Sequence, residues 1–164
     1  MSRQVKNIIN ISVFLICIAL INIAGQNIEL EIRGVNAFTF ILIVAVLVQV
    51  IFFIPSFLLK TEKYYDLVGS LTYISTVSFA YFAVEDKTII DSIIYFYVMI
   101  WASRLGIYLF RRVQKDGKDV RFEKAKTHFF WFLQYWMGQA LWVSLTACAA
   151  IIAILSPEED TLPV

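Results

Sequence analysis

VNAFTFILIVAVLVQVIFFIPSFLL, residues 35–59, carries no charged side chain in 25 positions. At about 1.5 Å per residue a helix of that length crosses the roughly 30 Å hydrocarbon core, for which about 20 apolar residues suffice. Its Val and Ile content would favour a strand in water. In lipid every backbone N–H and C=O must be paired within the segment, so helix is the reading that survives. Pro55 lies near the end of the run, where a kink or a stop is tolerated.

Four more apolar runs flank it, at 8–24, 64–84, 89–110 and 129–155. The expectation is an all-α, polytopic transmembrane bundle of about five helices forming one domain over residues 1–164. Composition agrees. Sixty per cent of the residues are apolar, 16% are charged, and the mean hydropathy is +0.73, against roughly 45–50% and about 25% in soluble domains. The net charge of +1 is confined to short segments between the runs and gives no reason to expect nucleic acid. Cys17 and Cys148 sit in apolar runs, away from any CxxC or Cys/His spacing, which reads as buried free thiols and no metal site. Arg3 and Lys6 before the first run resemble a signal peptide's start. The run is too long and too interrupted by Asn10 and Asn22 for that, so a retained first helix is expected.

Orientation follows from Lys and Arg in short loops. With the N-terminus on the cytoplasmic side, that side holds Arg3, Lys6, Lys60, Lys63, Arg111, Arg112, Lys115, Lys118, Arg121, Lys124 and Lys126. The other side holds only Arg33 and Lys87. Eleven against two sets the expected topology; the expected location is a multi-pass one, in the endoplasmic reticulum if the chain is eukaryotic and in the inner membrane if it is bacterial.

Polar groups inside a span are costly, about 2.5–3.5 kcal/mol for a central Arg on insertion scales. Arg104 lies seven residues before Arg111, about 10 Å into its helix. Either it snorkels to the headgroups or it turns inward to a carboxylate or phosphate, with Asp66 the nearest acidic candidate. Helical spacing puts Asp66, Ser70 and Tyr73 on one face, and Tyr65, Gly69, Thr72 and Thr76 on its neighbour. The bland reading is helix packing with hydroxyl hydrogen bonds; the sharper one is a polar cavity. The segment 111–128 is strongly basic, which suits anionic lipid headgroups or, with Gly117 supplying a turn among Lys115, Lys118 and Arg121, a nucleotide phosphate. His128 reads as an interfacial residue. In the last run Gln139, among Trp131, Tyr135, Trp136 and Trp142, needs a partner for its amide.

Three strings in this order carry a family resemblance. Residues 61–72, TEKYYDLVGSLT, resemble the TE(K/R)-aromatic-YDL-x-GSLT stretch of a branch of the steroid 5-alpha-reductase-like membrane proteins. Residues 101–112, WASRLGIYLFRR, followed by 117–122, GKDVRF, look like its second signature, and 139–143, QALWV, like a third. The resemblance covers most of the chain from Ile54 onward. It implies an oxidoreductase that uses NADPH to reduce a carbon–carbon double bond conjugated to a carbonyl in a lipid-like or steroid-like substrate. Hydride goes to the β-carbon while an acid group polarises the carbonyl or protonates the enolate. Under that resemblance Tyr65 and Asp66 are the catalytic candidates. Arg104, Arg111, Lys118 and Arg121 are the cofactor-binding candidates, and Glu62, Ser70, Tyr73 and Gln139 the substrate-binding ones.

Two departures stand out. Residues 54–57, IPSF, resemble the Leu-Pro-Ser-Phe of the true steroid reductases, but Phe52 and Phe53 replace the Gln-Glu pair upstream, and Trp101 stands where those enzymes place a tyrosine. A Ser-Arg-His-Pro-Asn-Tyr-type nucleotide-binding segment also does not occur in the sequence. The expectation is an N-terminal portion that binds membrane lipids and a lipid-like substrate, and that needs a separate C-terminal half for the cofactor. The competing class is a non-enzymatic membrane scaffold or lipid-binding module. A transporter is disfavoured, since no broken-helix repeat pair is visible.

Overall fold

The computed structural model describes residues 1–116 and 119–156. Five long α-helices account for most of it: α1 (Arg3–Ile21), α2 (Ala37–Leu58), α3 (Tyr65–Ala83), α4 (Ile89–Asp116) and α5 (Phe129–Leu155). The expected helical runs are all present, and the architecture is an all-α polytopic bundle. Four of the helices are long and apolar enough to cross a membrane: Arg3–Gly25, which adds a 3-10 turn to α1, then Ala37–Leu58, Ile89–Lys115 and Phe129–Leu155. The fifth, α3, is shorter and more polar. It packs against α2, α4 and α5, so its hydroxyl-bearing faces meet protein.

Local chemistry fixes where the helices start and stop. Between α1 and α2 a two-residue ladder, β1 (Glu31–Ile32) with β2 (Val35–Asn36), turns through Arg33 and Gly34 at φ of 55° and 76°. Positive φ at both central residues matches the right-handed twist of the flanking strands. Asn36 then caps α2: its Oδ1 accepts from the Thr39 N–H at 3.1 Å while its Nδ2 donates to the Ile28 carbonyl at 2.7 Å. At the far end of α2, Thr61 N–H reaches the Ser56 carbonyl and Lys60 N–H the Phe57 carbonyl, with Lys60 at φ 49°. This is the paired closure of a left-handed helix end. Thr88 and Asp91 cap α4 reciprocally, since Thr88 N–H donates to Asp91 Oδ2 at 2.8 Å and Asp91 N–H to Thr88 Oγ1 at 3.1 Å.

Two apolar clusters fill the bundle. One runs along α2, α3 and α5 through Phe38, Ile41, Val77, Val143 and Ile151. The other, nearer the basic end, gathers Phe53, Val68, Phe122, Phe132 and Trp136. Polar cross-links stitch the same interfaces: Gln49 Nε2 donates to Thr72 Oγ1 at 2.8 Å in full burial, and Asn10 Nδ2 to Gln134 Oε1 at 3.2 Å. In hydrocarbon such amides need a protein partner, because water is absent.

Candidate functional site

Helices α3 and α4 run antiparallel, and two close approaches set their neighbours. A Cβ at Gly106 would lie 2.7 Å from Ser70 Cβ, and one at Gly69 would lie 2.1 Å from Gln139 Nε2. The glycines let α4 and the Gln139 amide lie directly on α3. One turn from Ser70 toward the basic end stands Asp66, level on α4 with the residues beyond Gly106, as the Tyr64–Phe110 ring contact shows. Asp66 therefore meets Arg112 at 3.4 Å and Arg121 at 3.9 Å.

The expected Asp66–Arg104 pair does not form. Arg104 lies two residues, about half a turn, on the other side of the Gly106 contact. It also points away from the face of α4 that meets α3, which is the face bearing Ala102, Gly106 and Val113. Among the described residues it has no carboxylate within 4.0 Å.

A cavity of about 580 Å³ opens between α3, α4 and α5. Tyr65, Asp66 and Arg121 form its mouth at the basic end. Ser70 and Gln139 lie about 6 Å deeper, four residues along α3 from Asp66. Tyr73, Trp101 and Trp142 line the far part. The size lies in the range of small-molecule sites. Six of the residues singled out in the sequence thus share one space: Tyr65, Asp66, Ser70, Tyr73, Gln139 and Arg121.

The others stand elsewhere. Glu62 is 4% exposed and braces the segment after α4: one carboxylate oxygen accepts from the Asp119 N–H at 3.2 Å, the other pairs with Lys126 at 2.7 Å. It does not line the cavity. Arg104 and Arg111 line a separate open groove of about 980 Å³ on the outer face of α4, with Ile107, Tyr108 and Lys115. Arg112 lines that groove while pairing with Asp66, so it stands between the two spaces. Lys118 and Gly117 lie outside the described residues.

Most of the cavity's polar groups are already engaged, among them the Tyr73 hydroxyl with Thr146 and the Gln134 amide with Asn10. Tyr65 donates its hydroxyl hydrogen to the Tyr135 carbonyl at 2.9 Å, with its ring against Phe122 and Trp136. Asp66 accepts from the Arg112 guanidinium at 3.4 Å and is ion-paired with Arg121 at 3.9 Å. Two are not engaged: Ser70 Oγ and Gln139 Oε1 are buried without a hydrogen-bond partner. At the mouth, Asp119 accepts from both the backbone and the side chain of Arg121. The Arg121 guanidinium holds the Asp119 carboxyl below its ordinary range, against the opposing effect of partial burial.

Sequence reasoning missed Arg112 and Asp119. Arg112 was read only as a topology marker, although it sits eight residues beyond Arg104 on the same helix. Asp119, two residues before Arg121, had the spacing of a local Asx turn as its signal.

No curated protein and no solved structure matches the chain. A family model does, one described as a protein of unknown function, DUF1295, over residues 52–164. That span holds every cavity-lining residue except Phe14. A match over more than half its length means that this multi-pass membrane chain belongs to the DUF1295 family.

Proposed function

We propose that the chain is the substrate-holding part of an NADPH-dependent reductase of conjugated double bonds in lipid-like substrates, resembling the steroid 5-alpha-reductase-like proteins. The observation that carries this reading is the single cavity that unites Tyr65, Asp66, Ser70, Tyr73 and Gln139, with an apolar, aromatic far end and a charged mouth. An amphipathic lipid suits that polarity gradient: its hydrocarbon lies against Trp101, Leu105, Trp142 and Val143, and its polar groups lie toward the mouth.

The basic residues fit a phosphate-bearing cofactor unevenly. Arg112 and Arg121 are balanced by Asp66 and Asp119. Arg104, Arg111 and Lys115 share the outer face of α4, and among the described residues they have no paired carboxylate. Guanidiniums in that state suit phosphate oxygens, which they bind by charge-assisted hydrogen bonds. The cofactor, when bound, would supply hydride to the substrate's β-carbon. Tyr65 keeps its proton on Oη against the Tyr135 carbonyl at the mouth, and the rings of Phe122 and Trp136 exclude water around it. The outer face of α4 offers charge without enclosure. A further polypeptide segment over that face would complete the grip on the cofactor.

Binding of NADPH to the purified chain in lipid nanodiscs, followed by calorimetry, tests this reading. Weak, salt-sensitive binding that falls further with Arg104→Ala is expected. Tight stoichiometric binding unaffected by that substitution would overturn the placement of the phosphates.

A second reading, a lipid-binding module without chemistry, is favoured by one observation. The proton of Tyr65 and the oxygens of Asp66 are already matched inside the protein. It predicts saturable lipid binding with no NADPH oxidation under any condition that supplies an enone lipid.

A further inference from the structure

Buried polar atoms in a folded chain are nearly always hydrogen-bonded, and one left alone forfeits the interaction it had with water. Five buried side-chain atoms among the described residues are left alone: Gln49 Oε1, Ser70 Oγ, Trp136 Nε1, Gln139 Oε1 and Ser144 Oγ. Two of the five, Ser70 Oγ and Gln139 Oε1, belong to residues that line the same cavity. They are held there by backbone design. Gly69 leaves room for the Gln139 amide, and Gly106 leaves room for Ser70. Ser70 is 4% exposed. Gln139 makes no hydrogen bond to the described protein at all, although Gln134, one turn and a fraction earlier on α5, is satisfied by Asn10.

We infer that Ser70 and Gln139 form a receptor for one uncharged oxygen of the ligand, a carbonyl or a hydroxyl, about 6 Å below the Asp66 carboxylate. The argument is one of matching. The two engaged groups at the mouth, Tyr65 and Asp66, have no free hydrogen to offer. Below them, a serine hydroxyl and a primary amide supply both donors and an acceptor. A carbonyl oxygen accepts from Ser70 Oγ and Gln139 Nε2 and leaves Oε1 unmatched; a hydroxyl accepts from Ser70 Oγ and donates to Gln139 Oε1, which satisfies both unpartnered atoms. A charged oxygen does not suit the place, since among the described residues no cation lines the cavity below Arg121. The ligand is therefore a lipid with a neutral oxygen set on an apolar body, the body lying against Tyr73, Trp101 and Trp142.

This deepens the proposed function by assigning the carbonyl-binding pair, yet the binding step itself needs no cofactor. The test uses 3-nonylcyclohex-2-en-1-one labelled with carbon-13 at the carbonyl, added to the full chain in lipid nanodiscs and followed by carbon-13 NMR. A saturable downfield shift of the carbonyl resonance relative to empty nanodiscs is expected, as hydrogen bonding withdraws electron density from that carbon. Gln139→Leu should weaken the saturable binding at least about tenfold, and Ser70→Ala should reduce the shift. Lys124→Ala, at an exposed position that lines no cavity among the described residues, should leave both unchanged. Both cavity substitutions replace an unpartnered polar atom by an apolar one, so the ligand-free variants should melt no lower than the parent, and loss of binding is then not loss of fold.

A shift unaltered by both substitutions would overturn the inference and leave bound water as the partner of these atoms. NADPH-dependent reduction of the enone at parental rate by Gln139→Leu and Ser70→Ala would overturn it too, while leaving the reductase reading intact. A shift lost in the variants would support the receptor, and NADPH binding that ignores Arg104→Ala in the same chain would then count against the reductase reading alone.

Discussion

Gly69 and Gly106 are both glycines on facing helices, and their substitution should have opposite outcomes. At Gly69 an added methyl meets the far end of the Gln139 side chain, 2.1 Å from Nε2 and 2.9 Å from Cδ. That chain swings aside easily, and an alanine gains about 1 kcal/mol of helix propensity. Gly69→Ala should therefore leave thermal stability near the parent's while removing enone binding, a split that melting and carbon-13 NMR on one sample would show. If binding survives, the Gln139 amide is not where the ligand oxygen sits. Asp119 supplies a pH test at the same scale. Its carboxyl titrates below the ordinary 3.8 because Arg121 is hydrogen-bonded to it. A depressed folded value means stability fully present above the unfolded pKa and lost as pH falls through the folded one. Order in residues 119–122 should hold from neutrality to about pH 4 and decay below it, read as amide hydrogen exchange at Phe122. Asp119→Asn should lower the protection of that amide, relative to its intrinsic exchange rate, at pH 7 and remove the pH dependence of the protection.

Helix α3 is the element on which the site depends, since α2, α4 and α5 all pack against it. At Gly106 the added methyl meets Ser70 Cβ at 2.7 Å, an atom next to the backbone that cannot rotate away. The two helices must part. Gly106→Ala should cost about 1–3 kcal/mol, the usual penalty of overpacking, seen as a lowered unfolding midpoint in detergent. An unchanged midpoint would mean that the α3–α4 contact is looser than the structure shows. The segment from Asp119 to Thr127 is tied down chiefly by Glu62, which reaches Lys126 and the Asp119 N–H. Removing one member of a largely buried pair strands the other. Lys126→Ala should therefore expose this segment to proteolysis more than Lys124→Ala does, because Lys124 is exposed and makes no ion pair among the described residues.

At the scale of the whole molecule, the excess of basic residues at one end sets the orientation expected from the sequence. Cysteines placed at Lys124 and Lys87, both exposed, should label from opposite sides with a membrane-impermeant reagent, position 124 from the cytoplasmic side. Labelling of position 124 from outside would reverse the topology. The sequence by itself determined that these residues form apolar helices with a basic end, because uncharged runs of about 20 or more residues have one low-energy solution in lipid. Helical periodicity also placed Asp66, Ser70 and Tyr73 on one face of α3, since side-chain spacing within a helix is a property of the backbone alone. The level at which α4 passes α3 was decided only by tertiary structure. Asp66 and Arg104 both lie toward the basic end, and sequence made them natural partners. The close approach of Gly106 to Ser70 slides α4 so that Arg112 takes that place. The same holds for Glu62, whose partners lie 57 and 64 residues away, and for the solitary amide of Gln139. Which groups a buried polar atom meets depends on packing between segments distant in the chain, and that information is carried by volumes and register, not by spacing along one helix.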